Sequence, residues 1–125
     1  MADLSWRDPY VLMVAPNGAR RTKADHPALP MTQDETVDAV AEAHAAGAHA
    51  AHVHVRDEAC QHVLNADRCL RLSDALRSRC GDDLIIQITS EAVGGYTPQG
   101  ERKKVRAGPP QTGSPPFCGT FSGGD

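Results

Sequence analysis

The sequence predicts an α/β fold with a parallel sheet, and three observations carry that prediction. Short apolar runs rich in β-branched residues alternate with capped helical stretches in the order β-α-β-α-β-α. Each successive pair of runs is separated by a stretch long enough for a crossover helix, which joins parallel neighbours rather than a hairpin. The third run is apolar almost throughout, as a strand covered on both faces reads. The alternation extends from residue 10 to about residue 106, after which the composition changes.

The first run, Tyr10 to Ala15 (YVLMVA), lies between Pro9 and Pro16 and reads as a buried strand. Asn17 to Pro30 has no period and carries Gly, basic residues and prolines, so it is a long loop of the kind that tends to be functional or disordered. Thr32-Gln33-Asp34-Glu35 is a capping box and starts the first helix, with Val37, Val40, Ala41 and His44 on one face and Gly47 as its stop. Ala48 to Arg56 (AHAAHVHVR) reads as the second strand. Its alternation puts Ala51, Val53 and Val55 on one face and His52, His54 and Arg56 on the other.

Asn65 caps a second helix running to about Arg79, with Leu70, Leu72, Ala75 and Leu76 as its apolar contacts and Gly81 after its end. Leu84 to Ser90 (LIIQITS) is the third strand. Thr97-Pro98 starts a third helix through Val105, a cap followed by proline at the first helical position. Residues 108–125 are rich in Gly, Pro and Ser, with no period, and read as a disordered tail. Shifted by one nucleotide, the codons of this segment can encode charged and apolar residues that continue a folded chain, so a frameshifted tail is the second reading.

Composition removes several function classes. The 125 residues carry a formal net charge of −3 and only 4% aromatics, so neither a phosphate-steering field nor a row of stacking rings is present. No nucleic-acid partner and no membrane partner is expected, since no apolar run approaches the ~20 residues of a spanning helix. The polar start MADLSWRDPY lacks the apolar stretch of a signal peptide, which predicts a cytoplasmic location. Cys60, Cys69, Cys80 and Cys118 form no CxxC pair and are expected to be reduced.

His52 and His54 are the residues with the clearest chemistry. Same-face neighbours on a strand are about 6.6–6.8 Å apart, a spacing from which two imidazoles can tilt onto one ion. They lie near the carboxyl end of a strand, where α/β folds assemble their sites. Glu91 and His62 are the local candidates for a third ligand, while His26, His44 and His49 read as loop, surface or packing groups. Asn17 and Thr89 follow the first strand and end the third, so both reach the same sheet edge as His54. Asn17, Thr89 and Arg56 are the candidate substrate-binding residues; Arg20, Arg21 and Lys23 are basic groups that could attract an anion, and Gly94-Gly95 lacks a phosphate-cradling spacing.

Three segments, VAPNGARRTKADHPALP (Val14 to Pro30), AGAHAAHVHVRD (Ala46 to Asp57) and IIQITSEAVGG (Ile85 to Gly95), resemble in order and spacing the N-terminal part of the β-keto acid cleavage enzymes. The founding activity of that family is cleavage of 3-keto-5-aminohexanoate in lysine fermentation. The resemblance implies a TIM (β/α)8 barrel, homo-oligomeric in the family, that binds Zn²⁺ and converts a β-keto acid plus acetyl-CoA into acetoacetate plus a new acyl-CoA. It implies His52 and His54 as zinc ligands and Thr89 as a substrate-contacting hydroxyl. The third ligand it implies is a glutamate on a late strand, beside an arginine and an aspartate that move protons. Arg20 departs from the pattern, because the founding member has an acidic residue there, and this points to a different substrate.

A barrel of this kind takes about 250 residues, and three of its eight βα units are present. Residues 1–107 are therefore expected to be the N-terminal portion of a truncated barrel domain that binds zinc weakly, is inactive by itself and exposes an apolar edge. Two other readings stay open at this stage. One is a piece of a metal-dependent hydrolase barrel, and the other is a non-catalytic α/β fragment that acts by association.

Overall fold

The computed structural model describes residues 9–91, which form a small α/β unit. In chain order its elements are β1 (Met13–Val14), α1 (Gln33–Ala45), β2 (Ala50–Val53), α2 (Ala66–Cys80) and β3 (Ile85–Ile88). The strands make one parallel sheet in the order β1-β2-β3, with Met13 opposite Ala50 and His52 opposite Gln87. The expected third helix and the segment 108–125 lie outside the described residues.

Helix α1 begins as its sequence predicts. The Thr32 hydroxyl accepts from the Glu35 amide at 3.2 Å, and the Glu35 carboxylate accepts from the Thr32 and Met31 amides at 3.2 and 2.8 Å. Lys23 Nζ lies 3.0 Å from the same carboxylate and ties the preceding loop to the helix start. Gly47 follows the helix at φ +114°, a backbone state that strains a residue bearing a Cβ. Helix α2 is capped by the Asn65 side chain, which accepts from the Arg68 amide at 2.9 Å. At its other end Arg77 donates to the Leu84 carbonyl at 2.6 Å, fixing the helix end to the start of β3.

Both helices pack on one face of the sheet. Val40 of α1 and Cys69, Leu72 and Leu76 of α2 meet Ala51, Val53, Val55, Leu84 and Ile86, and Val14 and Ile88 border the cluster. Complete burial of a leucine such as Leu76 is worth about 1.5–3 kcal/mol, so this cluster is the main source of cohesion. Burial also pushes the Cys69 thiol up to about 11, and Cys60, Cys69 and Cys80 are free, as expected of reduced packed thiols.

Three expectations need correction. The first strand is not a buried run from Tyr10 to Ala15: only Met13 and Val14 pair, and Tyr10 and Val11 remain 72% and 64% exposed. Within the described residues β1 bonds β2 alone, and a strand held on one side has no second neighbour to cover it. The strands are not covered on both faces either. Met13, His52, Ile85 and Gln87 share the face away from the helices, and Ile85 is 52% exposed there. The second strand is shorter than Ala48 to Arg56, because its last rung is the bond from the Thr89 amide to the Val53 carbonyl at 3.1 Å.

Candidate functional site

The parallel order brings three strand ends to one edge, and the side chains just past them meet there. Asn17 follows β1, His54 follows β2 and Thr89 follows β3; all three are buried, as is Arg56. Sequence alternation continues through His54, so Val53 and Val55 enter the core while the histidines face the other way.

Where the β2 ladder stops, the Asn17 carboxamide replaces it. Its Nδ2 donates to the His54 carbonyl at 2.8 Å, and its Oδ1 accepts from the His54 amide at 3.2 Å. A side-chain amide thus plays the part of a neighbouring strand's peptide group. Arg56 holds the same region from beneath. Its Nη2 donates to the carbonyls of Asn17, Gly18 and Arg21 at 3.3, 2.9 and 2.9 Å, and its Nη1 donates to Cys60 O at 3.0 Å. Burial pushes the guanidinium below its usual range, and Nε is enclosed with no hydrogen-bond partner among the described residues.

Three imidazoles line up beside this frame. The His52 and His54 ring centroids are 5.1 Å apart, and those of His54 and His62 are 5.2 Å apart, both pairs edge to face. His52 Nδ1 lies 2.7 Å from Gln87 Oε1, an oxygen that only accepts, so Nδ1 carries the ring proton and Nε2 the lone pair. His62 Nε2 donates to the Glu91 carbonyl at 2.8 Å, which leaves the lone pair on its enclosed, unbonded Nδ1. His54 Nδ1 is also enclosed without a hydrogen bond, 3.9 Å from Glu91 Oε2. Burial above all, then the neighbouring His52 and His62 rings and the Arg56 charge, hold His54 down to about 3. A neutral imidazole with a lone pair is the form a metal binds.

Thr89 Oγ1 accepts from the Glu91 amide at 3.0 Å, which leaves the hydroxyl proton to donate. Arg21 and Lys23 are engaged locally with Asp25 and Glu35 at 3.1 and 3.0 Å, while Arg20 is exposed. Away from the site, His49 accepts from the Leu12 amide, His44 lies 3.4 Å from Asp83, and His26 accepts within its loop. Among the described residues no three His, Cys, Asp or Glu side chains are arranged to hold a metal ion. Neither His62 nor Glu91 therefore completes a three-ligand set with His52 and His54. Sequence reasoning missed Gln87, although one signal was present: it is the polar residue in the middle of an otherwise apolar strand.

A parallel α/β unit with paired histidines at its carboxyl edge is the frame of a site for small-molecule chemistry. Comparison with known proteins makes the class specific. The family model of the beta-keto acid cleavage enzyme matches residues 9–120, and the chain belongs to that family. It is 33% identical over 87 residues to the 3-keto-5-aminohexanoate cleavage enzyme of Fusobacterium nucleatum subsp. nucleatum, and 32% identical over 87 residues to that of Acetoanaerobium sticklandii. Each alignment covers 70% of this chain and 32% of the relative, so the chain spans about a third of the length of these relatives. No helix among the described residues is long and apolar enough to cross a membrane.

Proposed function

We propose that this chain supplies the first three βα units of a TIM (β/α)8 barrel that cleaves a short β-keto acid with acetyl-CoA. The reaction conserves every carbon. The bond between the keto carbon and the adjacent CH₂ breaks, the CH₂–carboxylate portion joins the acetyl group to give acetoacetate, and the remaining acyl group leaves on CoA. The observation that carries the reading is the pair His52 and His54, with His52 Nδ1–H fixed on Gln87 and the His54 ring held neutral by burial, its Nδ1 enclosed without a hydrogen bond to any described residue.

Those donors fit Zn²⁺ as two of its ligands, and the third comes from outside the described residues. Bound there, zinc would act as a Lewis acid toward the keto acid. The protein groups do the positioning. The Thr89 hydroxyl proton and the second Nδ2 proton of Asn17 offer donors to substrate oxygens at the same edge. The exposed Arg20 adds positive charge to the loop that follows β1, which suits a substrate that lacks the amino group of 3-keto-5-aminohexanoate. Family members of this kind would work as homo-oligomers.

The test is product analysis with the protein that carries this chain, incubated with zinc, acetyl-CoA and a panel of short β-keto acids. Acetoacetate and a new acyl-CoA should form in equal amounts, and His52→Ala should remove both the zinc and the products. Carboxylic acid products formed without CoA would replace this reading with a metal-dependent hydrolase. Zinc content unchanged in His52→Ala would remove the metal centre from either.

A further inference from the structure

Arg56 is a buried cation whose hydrogen-bond acceptors among the described residues are all backbone carbonyls. The burial of a guanidinium is costly unless its donors are satisfied, and here the acceptors come from two separate places, the 17–21 segment after β1 and the turn at Cys60. The segment it fixes begins with Asn17, whose side chain holds both backbone groups of His54. The three residues thus form a chain of hydrogen bonds that starts on a guanidinium and ends at a histidine backbone.

We infer that Arg56 is a positioning residue for the histidine pair: by fixing the backbone of Asn17, Gly18, Arg21 and Cys60, it holds the Asn17 carboxamide on His54 and so sets where that imidazole stands. The inference deepens the proposed metal-assisted reaction and rests on that reading for its consequence, though not for its geometry. The ladder of β2 ends at Val53, so among the described residues no strand partner positions His54. Its backbone is instead held by one side chain, and that side chain is held by Arg56. A lysine cannot substitute. Its single ammonium has three donors on one atom, whereas the observed acceptors are reached by two separate nitrogens of a planar fork.

Two readouts test this on the intact chain, each free of the other. The first is hydrogen exchange at the His54 amide, which donates to Asn17 Oδ1. Arg56→Lys should speed that exchange about tenfold or more, the size set by loss of a charge-assisted hydrogen bond. The Ile85 amide, bonded to His49 O at the opposite end of the sheet, should keep its rate. The second is zinc affinity by calorimetry, which should fall about 10- to 100-fold, the range for loss of an outer-shell contact.

Asn17→Ser keeps the guanidinium and its other carbonyls, and it should produce the same two changes. It carries the test if Arg56→Lys does not fold. The double variant should be no worse than the more affected single one, since both residues act through one chain of contacts. Unchanged His54 exchange in a folded Arg56→Lys or Asn17→Ser protein overturns the inference, as does equal acceleration at Ile85, which marks general loosening. If the wild-type chain takes up no zinc, the metal reading fails while His54 exchange still decides the role of Arg56.

Discussion

Replacement of Gln87 by leucine should weaken zinc binding while leaving the fold almost untouched. Gln87 sits opposite His52 in the parallel register, and its Oε1 receives the His52 Nδ1 proton at 2.7 Å. That bond fixes the tautomer and leaves Nε2 as the ring nitrogen available to a metal. Leucine has nearly the same reach and no acceptor, so the ring is left free to rotate and to move its proton. Loss of such a contact lowers metal affinity about 10- to 100-fold, or about 1.4–2.8 kcal/mol. The effect on folding is smaller, because His52 is only half-buried and water can take the freed N–H. One exchanged hydrogen bond of this kind changes stability by about 0.5–1.5 kcal/mol. Calorimetric zinc titration gives the affinity, urea unfolding gives the stability, and long-range ¹H–¹⁵N spectra show which ring nitrogen carries the proton. Gln87→Glu keeps the acceptor and should bind zinc at least as well as wild type. Unchanged affinity in Gln87→Leu, or a wild-type His52 protonated on Nε2, would refute the reasoning.

Other outcomes follow from the same contacts. Leu76→Ala empties a wholly buried position between the helices and the sheet and should cost about 2–5 kcal/mol in urea unfolding; a loss under about 1 kcal/mol would show that the site collapses around the smaller side chain. The Met31 amide first, then Lys23 and the Thr32 amide, hold Glu35 down from its ordinary 4.5 to about 2. Its folded value is depressed, so its contribution to stability is complete above pH 4.5 and disappears as pH falls toward about 2. Glu35→Gln should flatten that part of the acid unfolding profile, and an unchanged profile would argue against the capping box in solution. In zinc-free protein the His54 ring should stay neutral down to about pH 3, read from its NMR titration. A midpoint near its ordinary 6.5 would mean that the ring is hydrated.

Much of this architecture could be read from residues with local meanings. Thr32 and Glu35 announce a helix start because both halves of the capping box lie within four positions, and Asn65 and Gly81 bracket α2 in the same way. The alternation of Ala51, Val53 and Val55 with the histidines is equally local, and the core contains those three apolar residues as expected. What sequence reasoning could not supply depends on partners far along the chain. The pairing of His52 with Gln87 is a matter of register between strands, and no feature of either segment alone sets it. Asn17 reads as a candidate substrate-binding residue, yet its carboxamide is fixed on a backbone 37 positions away. The first strand is shorter than its composition suggests for a related reason. YVLMVA has the composition of a buried strand, but burial depends on how many neighbours the sheet provides, and composition does not record that.

The clasp at Arg56 also divides the long loop after β1 into sections with different freedom to change. Residues 17–21 are anchored at one end by the guanidinium, and the far end is anchored where Glu35 receives the Met31 and Thr32 amides. The stretch between these two posts can gain, lose or exchange residues without pulling on His54. A lineage can therefore vary the nine positions between these posts and keep the histidines where they stand, so that the rim of this edge changes without the sheet being rebuilt.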